Sequence, residues 1–398
     1  MLEYAGSQRT GLQAERREGL ALVALLRSLD WVLVAGVAGL VAVGLWAIAG
    51  VTHFDDPGHP SYYLDRQIGY VVAGTLVLLV AIAVDPELYR RYWRAIFGGT
   101  VGLIAVVLVL GHAARGSTRW INVGFFTFQP SEFGKLLFVL ALAGFLAERA
   151  RSAKEVGTTL RTLGLGLVPV VLVFAQPDLG TALVYLAGLG AMLFVCGTPW
   201  KQLAALGAVA VLLAVGVLWA GPAAGVQFLK SYQKERLICF THPATCPVDA
   251  RYNVEQSIAA VGSGEVNGRG PNNATQTRLD FLPEHHTDFV FASFSEQRGF
   301  VGASLLLGLY LLVLWRGLRI VTVARDLYSA IVAGGIVVAL LFQIFVNVGM
   351  TMGIAPITGI PLPFVSVGGS SMIANLAAMG VLLAVHARGR VSRPSRRR

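Results

Sequence analysis

Apolar runs of about 18 residues or more recur along almost the whole chain, broken by short polar stretches. Each is long enough to cross a bilayer as a helix, which satisfies its own backbone groups where no water reaches them. The pattern predicts an all-α polytopic membrane protein. Spans are expected near 31–50, 67–84, 96–112, 131–147, 162–176, 179–196, 203–220, 287–314, 328–352 and 368–386, about ten in all. One membrane domain is expected over residues 1–398, with a polar segment at 1–30 and a basic tail at 387–398. Glycines inside the runs, such as Gly36, Gly39 and Gly44, would weaken a soluble helix but let helices approach closely in a bilayer.

Most connections are short. Residues 113–130, "AARGSTRWINVGFFTFQP", join the third and fourth spans, and residues 221–286 join the seventh and eighth. The second is too long for a passive link and is where function is expected. Within it Val254, Ile258 and Val261 fall at helical spacing, which predicts a short interfacial helix. There is no internal or inverted repeat of the kind many transporters carry.

Composition agrees: the chain is 55% hydrophobic and 14% charged, with mean hydropathy +0.65. The net charge of +10 raises nucleic acid as a partner, but its distribution argues against it. With the N-terminus inside, one side holds Arg9, Arg16, Arg17, Arg27, Arg90, Arg91, Arg94, Arg149, Arg151, Lys154, Arg161, Lys201, Arg316, Arg319, Arg325 and the arginine tail. That is about twice the number on the other side, so both termini are expected in the cytoplasm and the 221–286 loop outside. The tail then rests on anionic lipid. The first 28 residues lack a short apolar core with a cleavage site, so no removable signal is expected. Cys239 and Cys246 share the outside loop, where a disulfide and two free thiols are equally compatible with the sequence.

Ionisable residues crowd the start of the eighth span, "LPEHHTDFVFASFSEQRGF". Asp288 is either a helix-capping acid or a functional one. Glu296 lies about 12 Å deeper along a helix and about 80° round, so both are expected to border one cavity. A charge at that depth costs about 2.5–3.5 kcal/mol unless it meets water or a partner. His285 and His286 are possible metal ligands, although adjacent loop histidines point apart more often than they chelate. Glu132 and Lys135, at i and i+3, are expected to pair, as a rim pair or as a wall of the same cavity. Arg115 and Arg119 suit an anionic group such as a phosphate. Asp178 is placed to cap the sixth span. Gly368, Gly369, Ser370 and Ser371, after a proline-rich stretch, offer successive amides that suit an anion at a helix start. The glycines of "GSGEVNGRG" do not have dinucleotide-binding spacing. Asp55-Asp56 is not an Asp-x-Asp pair, which disfavours a soluble-type sugar-nucleotide transferase.

The stretches "RWINVGFFTFQPSEFGKL", "QPDLGTALVY", "YNVEQSIAAVGSGEVNGRG", "TQTRLDFLPEHHTDFVFASFSEQRGFVGA" and "GIPLPFVSVGGSS" occur in an order that resembles the SEDS family of shape, elongation, division and sporulation proteins. The resemblance is nearer the elongation type than the division type. It implies ten spans and polymerisation of lipid II into peptidoglycan glycan strands beside a class B penicillin-binding protein in the elongation machinery. By motif it carries over Asp288 as the catalytic acid, and Arg119, Glu132, Lys135 and Asp178 as functional positions. Val367 stands where the family usually has Tyr, Glu265 where a second Gly is usual, and Gln297 and Arg298 replace the residues that usually follow Glu296.

A polyprenyl-linked donor keeps its tail in the bilayer and its sugars and diphosphate at the surface, so its enzyme needs polar groups at a cavity mouth. Extension replaces an α-linked diphosphate by a β-linked sugar, an inversion for which one base suffices. Asp288 is assigned that role, with Arg119 and Lys135 as stabilisers of diphosphate charge and Glu296 and Ser370 among the substrate-binding groups. A divalent cation, Mg²⁺ or Mn²⁺, is an alternative source of that stabilisation. A lipid II flippase and a non-catalytic scaffold are the competing readings.

Overall fold

The computed structural model describes residues 27–56, 58–110, 112–114, 117–123, 126–217, 236, 240 and 248–391. Cys239, Cys246, Arg115 and the basic tail beyond residue 391 lie outside them.

Among the described residues, eight helices are long and apolar enough to cross a membrane. They are α1 (Trp31–Val51), α2 (Tyr62–Ala83), α5 (Pro130–Glu148), α6 (Val156–Ala175), α7 (Leu179–Cys196), α11 (Val290–Val323), α12 (Leu327–Thr351) and α13 (Gly369–Val391). Two shorter apolar helices, α4 (Trp93–Leu110) and α8 (Trp200–Val215), fall at the third and seventh expected spans. The described residues also form two short polar helices, α3 (Pro86–Arg91) and α10 (Thr275–Arg278), and the longer α9 (Val248–Ser263). The protein is a multi-pass helical membrane protein.

Local chemistry sets the boundaries. Asp30, Asp178 and Asp326 each accept a backbone N–H inside the first turn of α1, α7 and α12. Pro130 opens α5, where no intrahelical donor is needed. Gly197, in the left-handed region, closes α7.

Among the described residues, the departure from an all-α chain is the segment read as a plain connection between the third and fourth spans. It folds as a small antiparallel meander: β1 (His112–Ala114), β2 (Ser117–Val123) and β3 (Phe126–Phe128). Ile121 faces Phe128 across β2 and β3, and Val123 faces Phe126. The alternating Ser-Thr-Arg-Trp-Ile-Asn-Val run of β2 has the β-branched character of a strand.

The most enclosed helices are α13, α5 and α12, and α13 packs most extensively against α2, α12 against α7, and α11 against α1. α8 has no buried residue and sits at the periphery. Close approach is built on small residues: a Cβ on Gly380 would collide with the Leu78 carbonyl of α2.

α11 is broken at Gly299, whose φ of 63° and ψ of −165° are non-helical. The segment 264–270 docks into the break. The amides of Arg269 and Gly270 donate to the carbonyls of Glu296 and Gln297 at 2.9 and 3.0 Å. The amides of Phe300 and Val301 donate to the carbonyls of Glu265 and Val266 at 2.8 and 3.1 Å. These bonds satisfy groups that a helix break would strand. The glycines of "GSGEVNGRG" therefore serve close backbone approach: Cβ atoms on Gly264 or Gly268 would strike the backbone of residues 295–298. The expected helix in this loop is α9, but its buried residues are Ser257 and Ala260, while Ile258 is exposed. It lies against α11 and α12, with the Ser257 hydroxyl donating to the carbonyl of Thr351 at 2.9 Å.

Candidate functional site

A cavity of about 660 Å³ opens where α5, α7, α11 and α13 begin. It lies within the range of small-molecule sites. Its wall carries Arg66 from α2, Arg119 and Trp120 from β2, Arg236 from the long loop, Glu284 and Asp288 from the turn before α11, and Ser370 and Ser371 from the first turn of α13. Three guanidiniums and two carboxylates share one space, with Tyr63 and Tyr70 on the α2 side.

Asp288 is not a helix cap. α11 starts at Val290 with Phe289 in the capping position, so the carboxylate of Asp288 is left to face the cavity. Its backbone is clamped. Asn347 Nδ2 donates to the carbonyls of Asp288 and Ile360, at 2.9 and 2.8 Å. The Ser366 hydroxyl donates to the carbonyl of Thr287 at 2.6 Å, and the Val367 amide to that of His286 at 3.0 Å. The proline-rich connection between α12 and α13 thus fixes the turn that presents Asp288. Gly359, at φ +71°, lets that connection come close: a Cβ there would lie 3.3 Å from Asp288 Oδ2 and 3.6 Å from Arg236 Nη1.

Arg119 reaches from β2 across to α7, with Nη1 3.5 Å from Asp178 Oδ1, and its guanidinium lies 4.9 Å from the Trp120 ring centre. Asp178 caps α7 as expected and also accepts from Gln129 Nε2 at 3.3 Å. Ser370 ties the same corner: its hydroxyl accepts from the Gln129 amide at 2.9 Å and donates to the Thr127 carbonyl at 3.2 Å. Arg119 and Ser370 line the cavity, and Asp178 holds Arg119 from behind.

Two expectations are corrected by the packing. Glu132 and Lys135 do pair, with Lys135 Nζ 2.9 and 2.8 Å from the two carboxylate oxygens and 2.9 Å from Gln343 Oε1. They do not wall the main cavity but a separate space of about 30 Å³ between α5, α12 and α13. The first turn of α5 points them into the bundle, so Lys135 is neutralised by Glu132 away from the Arg119 side. Glu296 does not border the cavity with Asp288 either. It is fully buried, and its carboxylate accepts from the amides of Gln276 and Thr277, at 2.9 and 3.0 Å, and from the Thr277 hydroxyl at 2.8 Å. Because α11 begins only at Val290, the helical projection from Asp288 to Glu296 fails, and the acid turns toward α10 instead.

Sequence reasoning missed Arg66 and Arg236. Arg66 stands one residue before the second expected span, and a charge beside a long apolar run was a usable signal. Arg236 sits in the long loop among other basic residues, where nothing in the pattern distinguishes it. His285 and His286 do not point apart: both approach Asp55 of the α1–α2 connection, just outside the cavity.

A family model for FtsW, RodA and SpoVE, described as a cell cycle protein, matches residues 27–391. The chain is 34% identical over 354 residues to peptidoglycan glycosyltransferase MrdB of Escherichia coli K12, covering 87% of this chain and 92% of that protein. It is 33% identical to peptidoglycan glycosyltransferase RodA of Treponema pallidum, covering 90% and 98% of the two chains. It superposes on the rod shape determining protein RodA of Thermus thermophilus with a TM-score of 0.66, at 32% identity and covering 90% and 96% of the chains. A chain of a peptidoglycan synthase complex, from work on how polymerization and crosslinking are coordinated, gives a TM-score of 0.76 at 33% identity, covering 92% and 99%. The match runs through all the helices that frame the cavity, and the chain belongs to the FtsW, RodA and SpoVE family of cell cycle proteins, the SEDS proteins.

Proposed function

We propose that this chain is a peptidoglycan glycosyltransferase that polymerises lipid II into glycan strands during cell elongation, with Asp288 as the general base. The observation that carries the reading is the meeting of Asp288 with Arg66, Arg119 and Arg236 around one cavity at the ends of apolar helices. The acceptor hydroxyl attacks the donor sugar carbon from the face opposite the diphosphate. Its proton passes to the Asp288 carboxylate, and the carbon–oxygen bond to the diphosphate breaks with its electron pair leaving on undecaprenyl diphosphate. Guanidiniums suit that leaving group because their planar forks match phosphate oxygens. The tilt of Arg119 is set by Asp178 and Trp120, which keeps it directed at the cavity without a reorganisation cost during the step.

In this reading the cavity opens on the outer face of the inner membrane and both termini are cytoplasmic, as the basic residues indicate. A class B penicillin-binding protein is the proposed partner, supported by the likeness to a chain of a synthase complex. The flippase alternative needs a polar path through the bundle. The polar groups below the cavity, Glu132, Lys135 and Gln343, are engaged with one another around only about 30 Å³, too small for a sugar. That favours an enzyme with its site at one end.

The test is purified chain incubated with lipid II, alone and with a class B partner. Asp288→Asn should fold normally and lose polymerisation by about 100-fold or more, the size of a general-base effect. Near-wild-type activity, or lipid II moved across liposomes with no glycan chains formed, would overturn the assignment.

A further inference from the structure

Beside the cavity, three metal-type donors from distant parts of the chain meet. Asp55 comes from the α1–α2 connection, and His285 and His286 from the turn before α11. His285 Nε2 is 3.0 Å from both carboxylate oxygens of Asp55, and His286 Nδ1 is 3.7 Å from Oδ2. All three donor atoms lie within 4.8 Å of one another. His285 is 4% exposed, and Asp55 is an exposed residue of whose side chain 15% is accessible.

The hydrogen bonding of His285 defines what belongs there. Its Nδ1 is 3.2 Å from the carbonyl oxygen of Leu282 and 3.4 Å from Asp280 Oδ1, groups that only accept. Nδ1 therefore carries the proton. A neutral ring then aims the lone pair of Nε2 at two carboxylate oxygens, acceptor against acceptor. Such a contact is held only by positive charge on or between the groups.

We propose that Asp55, His285 and His286 form a binding site for a divalent transition-metal ion of the zinc class. A tetrahedral ion with bonds of about 2.0–2.1 Å holds its donor atoms about 3.4 Å apart. The 3.0 and 3.7 Å separations bracket that value. Two imidazoles and one carboxylate suit zinc, whereas calcium and magnesium prefer shells of oxygen. The Leu282 carbonyl on the far nitrogen of His285 is the outer partner that orients a ligating imidazole. Three protein ligands leave a fourth position for water. The ion ties the turn that presents Glu284, Thr287 and Asp288 to the α1–α2 connection. The ring of Tyr63, on the cavity wall, lies 4.7 Å from that of His286 and couples the two regions. The site holds or fails independently of the glycosyltransferase reading, because metal binding needs no lipid II.

The experiment uses the full chain in detergent, purified without a histidine tag and stripped by chelator. Zn²⁺ is titrated by calorimetry and Co²⁺ by visible absorption. Wild type should bind one ion per chain, give the absorption bands of tetrahedral Co²⁺, and melt at a higher temperature with Zn²⁺. Asp55→Asn and His285→Gln should each weaken binding at least about 10-fold, while His59→Gln, nearby on the same connection, should not. A wild-type chain that takes up no Zn²⁺, or binding that survives both cluster substitutions unchanged, would overturn the site and leave a carboxylate–imidazolium pair.

Discussion

Replacing Lys135 by Met tests how the interior below the cavity is held. Glu132 is 1% exposed, and its two carboxylate oxygens receive Lys135 Nζ at 2.9 and 2.8 Å. Met keeps most of the volume and removes the charge, so a carboxylate remains buried without its cation. Breaking a buried pair from one side costs about 3–5 kcal/mol, and an uncompensated charge within a span costs about 2.5–3.5 kcal/mol on insertion scales. The two routes agree on roughly 3 kcal/mol for Lys135→Met. The double variant Glu132→Gln/Lys135→Met has no charge left to strand, and Gln343 supplies a side-chain amide close by. It should cost about 1 kcal/mol, the scale of one lost hydrogen bond. Glu132→Gln alone leaves the ammonium held by Gln343 and should fall between. The coupling energy from the four proteins, the two single losses less the double loss, is then about 4 kcal/mol. Unfolding in mixed micelles gives each free energy, and polymerisation of lipid II gives the matching activities. A coupling below about 0.5 kcal/mol would mean an ordinary solvated pair, and the account of the interior would be wrong.

Glu296→Ala strands the amides of Gln276 and Thr277 and the Thr277 hydroxyl, all now satisfied by one carboxylate. A loss of about 3 kcal/mol or more is expected, with Glu296→Gln milder, measured by the same unfolding assay; equal, small effects would refute the clamp. Asp30, buried where α1 starts, has its pKa raised by burial but lowered more by the hydrogen bond of Arg316, the Leu33 amide and the charges of Arg316 and His386, so it ends below its ordinary value. A depressed carboxyl stabilises the fold above its unfolded pKa and loses that contribution as pH falls through the folded one. Between about pH 6 and pH 3, wild type should therefore lose more stability than Asp30→Asn; parallel curves would contradict it. A cysteine placed at Asn272 should react with an impermeant thiol reagent in intact cells, and one at Ser395 only after the membrane is opened; the reverse labelling would invert the proposed topology.

The sequence by itself determined the membrane class and the helices, because a span is encoded locally by about twenty apolar residues and its capping groups. It also singled out Asp288, Arg119, Asp178 and Ser370, since polar groups beside long apolar runs are costly and few. Which of them share a space was decided by the fold. Glu132, Lys135 and Glu296 carry the same local signal as Asp288, yet α5 and the late start of α11 turn them to other partners. A helical wheel could not show this, because it assumes one unbroken helix, and α11 neither begins at Asp288 nor runs straight past Gly299. Arg66 and Arg236 join Asp288 only because segments far apart in sequence converge. The meander before α5 escaped the periodicity because short strands leave too few residues for a period to register. Asp55 met His285 across 230 positions, a separation no local pattern records. Hydrophobic length is written residue by residue, whereas the company a charge keeps is set by how the helices close around it.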